Sequence, residues 1–195
     1  IIMKKKLMCV VLAATMVFSL MGCGNKEAKE DAVEIKTPVE SSDALLNNVW
    51  DTFGDDQKFP AMGGDFSNPV DNAAGIFNIA DTETLTYMLY IPADNVAMID
   101  EAASLIHAMN TNTFTGAAFH LTDAANADAL VQALKDNITT TQWMCGFPDK
   151  LAIFTVNGEY VVSAFGNAEI MDNFKTKLAE VYGEGAVLVV EEDLI

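Results

Sequence analysis

Apolar and polar positions divide the chain into three regimes. Residues 7–21 form an unbroken run of 15 residues without a charge. Residues 24–41 are polar and charged, with no aromatic residue. From residue 42 onward, apolar residues recur in short periodic groups separated by Gly, Pro, Asn and Asp. Leu45, Leu46, Val49, Trp50 and Phe53 have helical spacing, with Ser42 or Asp43 as cap and Gly54 as close. Residues 55–80 read as loop, with a short helix near 73–79. Residues 82–90 fit helix or strand. Val96, Ile99, Ala103, Ile106 and Met109 form a stripe that predicts a helix from residue 94 to 109.

The C-terminal pattern is sharper. Residues 114–121 predict a strand, and residues 124–142 a helix carrying Leu130, Val131, Leu134 and Ile138 on one face. Two β-type runs, 150–156 and 159–165, flank Asn157-Gly158. That dipeptide favours a tight hairpin because both turn residues need φ > 0. A two-residue loop would pair Val156 with Glu159. Residues 168–182 predict a helix ended by Gly183, and residues 186–191 a last strand. The expected fold is α+β, a ferredoxin-like β-α-β-β-α-β unit. Both faces of the hairpin are mostly apolar, unlike a sheet with one wet face. The helices expected within 42–110 are therefore assigned to the second sheet face, over a sheet part at 113–195.

The N-terminal regimes change what the domain is. Lys4, Lys5 and Lys6 precede the 15-residue apolar run, which is shorter than the roughly 20 residues a spanning helix needs. This is the pattern of a secretory signal. Leu20-Met21-Gly22-Cys23 resembles the bacterial lipobox, with Met21 where a smaller or branched residue is usual. The resemblance implies a signal peptide at 1–22, a diacylglyceryl group on Cys23 and an anchor in membrane lipid. Two acyl chains hold stably where one is marginal. Residues 23–41 then form a lipidated tether with a reach on the order of 25 Å, and residues 42–195 the single domain. The expected location is the outer face of a Gram-positive-type cell membrane.

Composition narrows the ligands. The chain has 11 lysines, no arginine and 28 acidic residues, a formal charge of −17. Removal of residues 1–22 takes three lysines and no acid, so the mature chain stands at −20. Nucleic acid is excluded as a partner because phosphate contact needs clustered Lys and Arg. Cys9 leaves with the signal and Cys23 is lipidated, so Cys145 remains without a disulfide partner.

Four residues stand out as candidates for ligand or partner binding: Trp143, Cys145, Phe147 and Asp149. They concentrate scarce residue types in one connection, and loops carry function disproportionately. The structural alternative ends a helix at Gly146, with Trp143 and Phe147 plugging the sheet end. Cys145 lacks the second cysteine of a dithiol motif, and no lysine adjoins it to favour the thiolate. His107 and His120 are the only histidines. With Asp100 or Glu101 they define the alternative of an extracytoplasmic hydrolase or metal-dependent enzyme, although their spacing matches no compact ligand motif. No catalytic constellation, metal site or cofactor is expected from the motifs, and no phosphate loop or G-x-S-x-G elbow occurs.

The lipobox, the segment from Tyr90-Ile91-Pro92 to Asp100-Glu101-Ala102, and the segment from Phe147-Pro148-Asp149 to Gly158-Glu159-Tyr160-Val161-Val162 resemble lipoproteins of Gram-positive gut bacteria, the domain of unknown function 4358 family. The likeness covers roughly residues 85–190. It implies no established activity and supplies no catalytic residue. The expected function is a membrane-anchored module binding an unknown protein or small molecule. A further alternative is an accessory subunit of a transporter or envelope complex.

Overall fold

The computed structural model describes residues 37–195. The expected signal peptide, Cys23 and most of the tether lie outside the described residues. Eight strands form one antiparallel sheet: β1 (Ala61–Gly63), β2 (Val70–Asp71), β3 (Gly75–Phe77), β4 (Ile99–His107), β5 (Phe114–Leu121), β6 (Lys150–Val156), β7 (Tyr160–Gly166) and β8 (Ala186–Asp193). Their lateral order is β2-β1-β4-β5-β7-β6-β8, with β3 beside β4. The helices are α1 (Ser42–Trp50), α2 (Thr82–Leu89), α3 (Ala127–Thr139) and α4 (Ala168–Tyr182). None of the described helices is long and apolar enough to cross a membrane.

Three of the four helices begin at a side chain that accepts from their unpaired N–H groups, while α3 continues from a 3-10 turn (Ala124–Asn126) without a side-chain cap of its own. Ser41, rather than Ser42 or Asp43, caps α1 by accepting from the Ala44 amide; Asp81 caps α2 through Thr84, and Asn167 caps α4 through Glu169. Their apolar stripes bury Leu45, Leu46 and Val49 on α1, Leu85 and Leu89 on α2, Leu130, Leu134 and Ile138 on α3, and Met171, Phe174 and Leu178 on α4.

The α+β class stands, and so does the order β5-α3-β6-β7-α4-β8 along the chain. The lateral order departs from a ferredoxin-like sheet, whose last strand returns beside its first. Here β4 occupies that place beside β5, and β8 adds beyond β6. This also corrects the helix layers. Both crossovers, β5 to β6 and β7 to β8, step toward the same edge, but β7 runs opposite to β5. Crossovers of one hand that step alike from opposed strands put their helices on opposite faces. Accordingly α4 packs with α1 on one face, and α3 with α2 on the other. The early helices do not share a face, but the sheet is covered on both sides, as its apolar faces require.

Two further expectations are overturned. The span 42–110 is not a helical part: it holds β1 to β4, residues 75–77 are strand, and the helix expected from 94 to 109 is a 3-10 turn (Ala93–Met98) followed by β4. The hairpin register also shifts by one. Asn157 and Gly158 do take φ of 54° and 78°, but Val156 pairs with Tyr160, leaving Glu159 as an extra residue. The Glu159 carbonyl accepts from the Leu121 amide instead. A one-residue slip moves every side chain to the other face, so Tyr160 and Val162 share a face with Phe154 and Val156.

The chain joins the fold at the β6–β7 hairpin end of the sheet. Thr37 donates its hydroxyl to the Val181 carbonyl at 2.9 Å, and its carbonyl accepts from Asn157 Nδ2 at 2.8 Å. Val39 packs on the α1–α4 core. The last residues of the expected tether are thus held by the domain.

Candidate ligand groove

At the opposite end of the sheet three connections meet. The β4–β5 turn (residues 108–113) faces the C-terminus of α2 and the return from α3 to β6 (residues 140–149). Tyr90 ends α2 with φ 60°, and Cys145 takes φ 64°, both in the left-handed region that costs a side-chain-bearing residue energy. Asparagine amides tie the three together. Asn112 Nδ2 donates to the Met144 and Gly146 carbonyls at 2.8 and 2.9 Å, Asn110 Nδ2 to the Cys145 carbonyl at 3.0 Å, and Asn137 Nδ2 to the Tyr90 carbonyl at 2.7 Å.

Between these segments lie two adjoining cavities of about 550 and 240 Å³, sharing Tyr87, Tyr90, Asn110 and Thr111. The larger is completed by Trp143, Met144 and Cys145, the smaller by Met62, Phe66 and Met88. Neither is lined by a lysine or an acidic residue. Several large apolar side chains here face solvent: Tyr87 is 74% exposed, Met109 81%, Met144 80% and Phe66 69%. Burial, with a smaller contribution from Tyr87, pushes the Tyr90 phenol above its ordinary value and keeps it neutral. Thr86 is among the residues lining the larger cavity, but its hydroxyl oxygen is buried and has no hydrogen-bond partner.

The four candidate residues fall into different roles. Trp143 is half-buried, its ring 5.0 Å from Phe165 and 5.4 Å from Tyr90, so it closes the core as well as lining the groove. Cys145 is exposed and lines the larger cavity. Phe147 does not plug the sheet end; it is 65% exposed, beside a third cavity of about 180 Å³ that shares Asn110 and Asn112 with the larger one. Asp149 also reaches that cavity, but its Oδ2 accepts from the Ala168 amide at 2.8 Å and from Asn167 Nδ2 at 3.2 Å. It therefore serves the N-terminus of α4.

The two histidines sit at opposite ends of the β4–β5 pair. His107 ends β4 on the groove side, where it stacks 5.2 Å from Phe59 and its Nδ1 accepts from the Met109 amide. His120 lies near the hairpin end, its Nδ1 2.5 Å from Asp100 Oδ1 and its ring 4.8 Å from Tyr160. Burial, then the nearby Glu101, Glu159 and Asp100 carboxylates, raise the Tyr160 phenol. No site can use both histidines. Among the described residues, no group of three His, Cys, Asp or Glu side chains could hold a metal ion.

Sequence patterning missed Phe66, Tyr87, Met109, Asn110 and Asn112. The local signal was the Asn110-Thr111-Asn112 run, which lies just past the end of the helix expected from 94 to 109. Comparison with family models, curated proteins and solved structures returned no match.

Proposed function

We propose that this chain is a lipid-anchored binding module of the outer cell-membrane face, held through a diacylglyceryl group on Cys23, with the groove beside Trp143 and Cys145 as its binding surface. The likeness to the domain of unknown function 4358 lipoproteins belongs to the same reading. One observation carries it. The chain joins the domain at the hairpin end of the sheet, while the exposed aromatic and methionine side chains gather at the other end. The seven residues of β6 span the distance between, roughly 20 Å. The chain therefore enters the described domain, at Thr37, from the end of the sheet opposite the groove. Cys23→Ala should move the protein from the membrane to the soluble fraction, and a photo-crosslinker replacing Met109 on the anchored protein should capture a ligand that the same probe at Glu180 does not. Retention of Cys23→Ala at the membrane refutes the anchor. Equal labelling from both positions refutes the groove.

A second reading, an accessory subunit of a transporter or envelope complex, is favoured by the exposure of Met144 and Phe147. Large apolar side chains exposed together on an acidic protein mark a protein contact.

A further inference from the structure

We infer that the groove takes an apolar polypeptide segment with basic flanks, supplied by a partner protein. This rests on the reading of the groove as a binding surface and adds the chemistry of its occupant.

The lining comes first. Met62, Met88, Met109 and Met144 are distributed over the two adjoining cavities, with Tyr87 and Tyr90 common to both. Unbranched thioethers adapt to irregular apolar surfaces and recur in peptide-docking grooves. Aromatic residues and methionine, with charge depleted, also characterise the centre of protein interfaces. The polar groups of the lining are partly committed to the protein itself: Asn112 Nδ2 spends both hydrogens on backbone carbonyls, Asn110 and Asn137 Nδ2 one each, and Asn110 Oδ1 accepts from the Asn112 amide.

Charge decides the flanks. Residues 37–195 contain 24 acidic residues against five lysines and no arginine. All five lysines are engaged: Lys58 lies over the Trp50 ring, and Lys135, Lys150, Lys175 and Lys177 each bind a carboxylate. An uncharged groove in a strongly negative domain repels phosphates, anionic headgroups and acidic peptides. It attracts basic flanks over a Debye length of roughly 8–10 Å.

A random dodecapeptide display on the immobilised full chain tests this, beside the variant Tyr87→Ser/Met109→Ser/Met144→Ser. The replaced side chains are all at least 74% exposed, so the fold is kept. Expected are peptides with an apolar centre and net positive charge, enriched at least tenfold less on the variant. Replacing their basic flanks by Glu should weaken binding at least tenfold. Acidic or apolar-poor peptides, equal enrichment on the variant, indifference to flank charge, or no enrichment would each overturn the inference. Methionine methyl NMR of the same protein with maltotriose and chitotriose separates the two levels. Shifts at the groove methionines without peptide enrichment keep the groove and reject the peptide. Neither shifts nor enrichment rejects both.

Discussion

Replacing Asp149 by Ala separates a ligand contact from a helix cap. Its carboxylate stands at the start of α4, where Oδ2 accepts from the Ala168 amide and Asn167 Nδ2. Asn167 meanwhile accepts from the Glu169 amide, so the two side chains share the unpaired donors of the first turn. Loss of one capping acceptor costs about 0.5–2 kcal/mol, and loss of a negative charge near the helix N-terminus about 0.3–1 kcal/mol. Because Asp149 is only half-buried, water replaces part of what is lost, and a net cost of about 1–2 kcal/mol is expected. In a domain of this size that lowers Tm by roughly 2–8 °C. Asp149→Asn keeps an acceptor oxygen and should lose about half as much. Urea unfolding followed by tryptophan fluorescence gives both values. Stability of Asp149→Ala within about 0.3 kcal/mol of the parent, together with weakened binding of groove peptides, would refute the cap and restore Asp149 as a ligand residue.

Three other outcomes follow from the fold. Hydrogen bonds from Lys150, then Lys175, hold the Asp172 carboxyl below its ordinary value. A depressed carboxyl stabilises above its unfolded value and loses that contribution as pH falls through its folded value. Asp172→Asn should therefore cost under about 1 kcal/mol near neutrality, with the difference from the parent closing below about pH 4; a constant difference down to pH 2 in urea titrations refutes the pairing. Gly63→Ala should prevent accumulation of folded protein, because a Cβ there would lie 2.2 Å from the Gly75 amide nitrogen; a soluble variant with cooperative melting contradicts that approach. A fragment beginning at Thr113 loses β4, α1 and α2, uncovering the edge of β5 and parts of both faces. It should bind hydrophobic dye and aggregate, and a clean monomer in gel filtration would count against the three-layer arrangement.

The parts of the fold legible in the sequence are those whose determinants are local. The α4 stripe, its Asn167 cap and Gly183 lie within seventeen consecutive residues, and α4 spans Ala168–Tyr182 as expected. Asn157-Gly158 marks its turn because two residues need φ > 0. The register did not follow, since it depends on the Glu159 carbonyl reaching β5. The lateral place of β8 was also illegible. It depends on β4 having taken the edge of β5, and β4 itself was read as helix. That strand is covered on both faces, with Ala102, Ala103, Ser104, Leu105 and Ile106 all buried. A strand buried on both sides carries no alternation, and its spaced Ile99, Ala103 and Ile106 mimic a helical stripe.

The same misreading hid half of the groove. Trp143 and Cys145 could be singled out because rare residue types stand together in one loop, whatever the loop packs against. Met109, Asn110 and Asn112 have no such mark. As the end of a helix, Met109 belongs to a buried stripe. As the turn after a strand, it projects from the sheet end, 81% exposed. Which of these holds is decided by pairings such as Leu105 with Gly116 and Ala61 with His107. These pairings span up to 46 residues of chain and leave no trace in a window of eleven to eighteen residues. The asparagine clamp has the same origin. Asn112 can hold the Met144 and Gly146 carbonyls only because β5 and β7 lie between β4 and β6, bringing both connections to one end of the sheet. The groove is a product of strand order, and strand order is where the local pattern stops being informative.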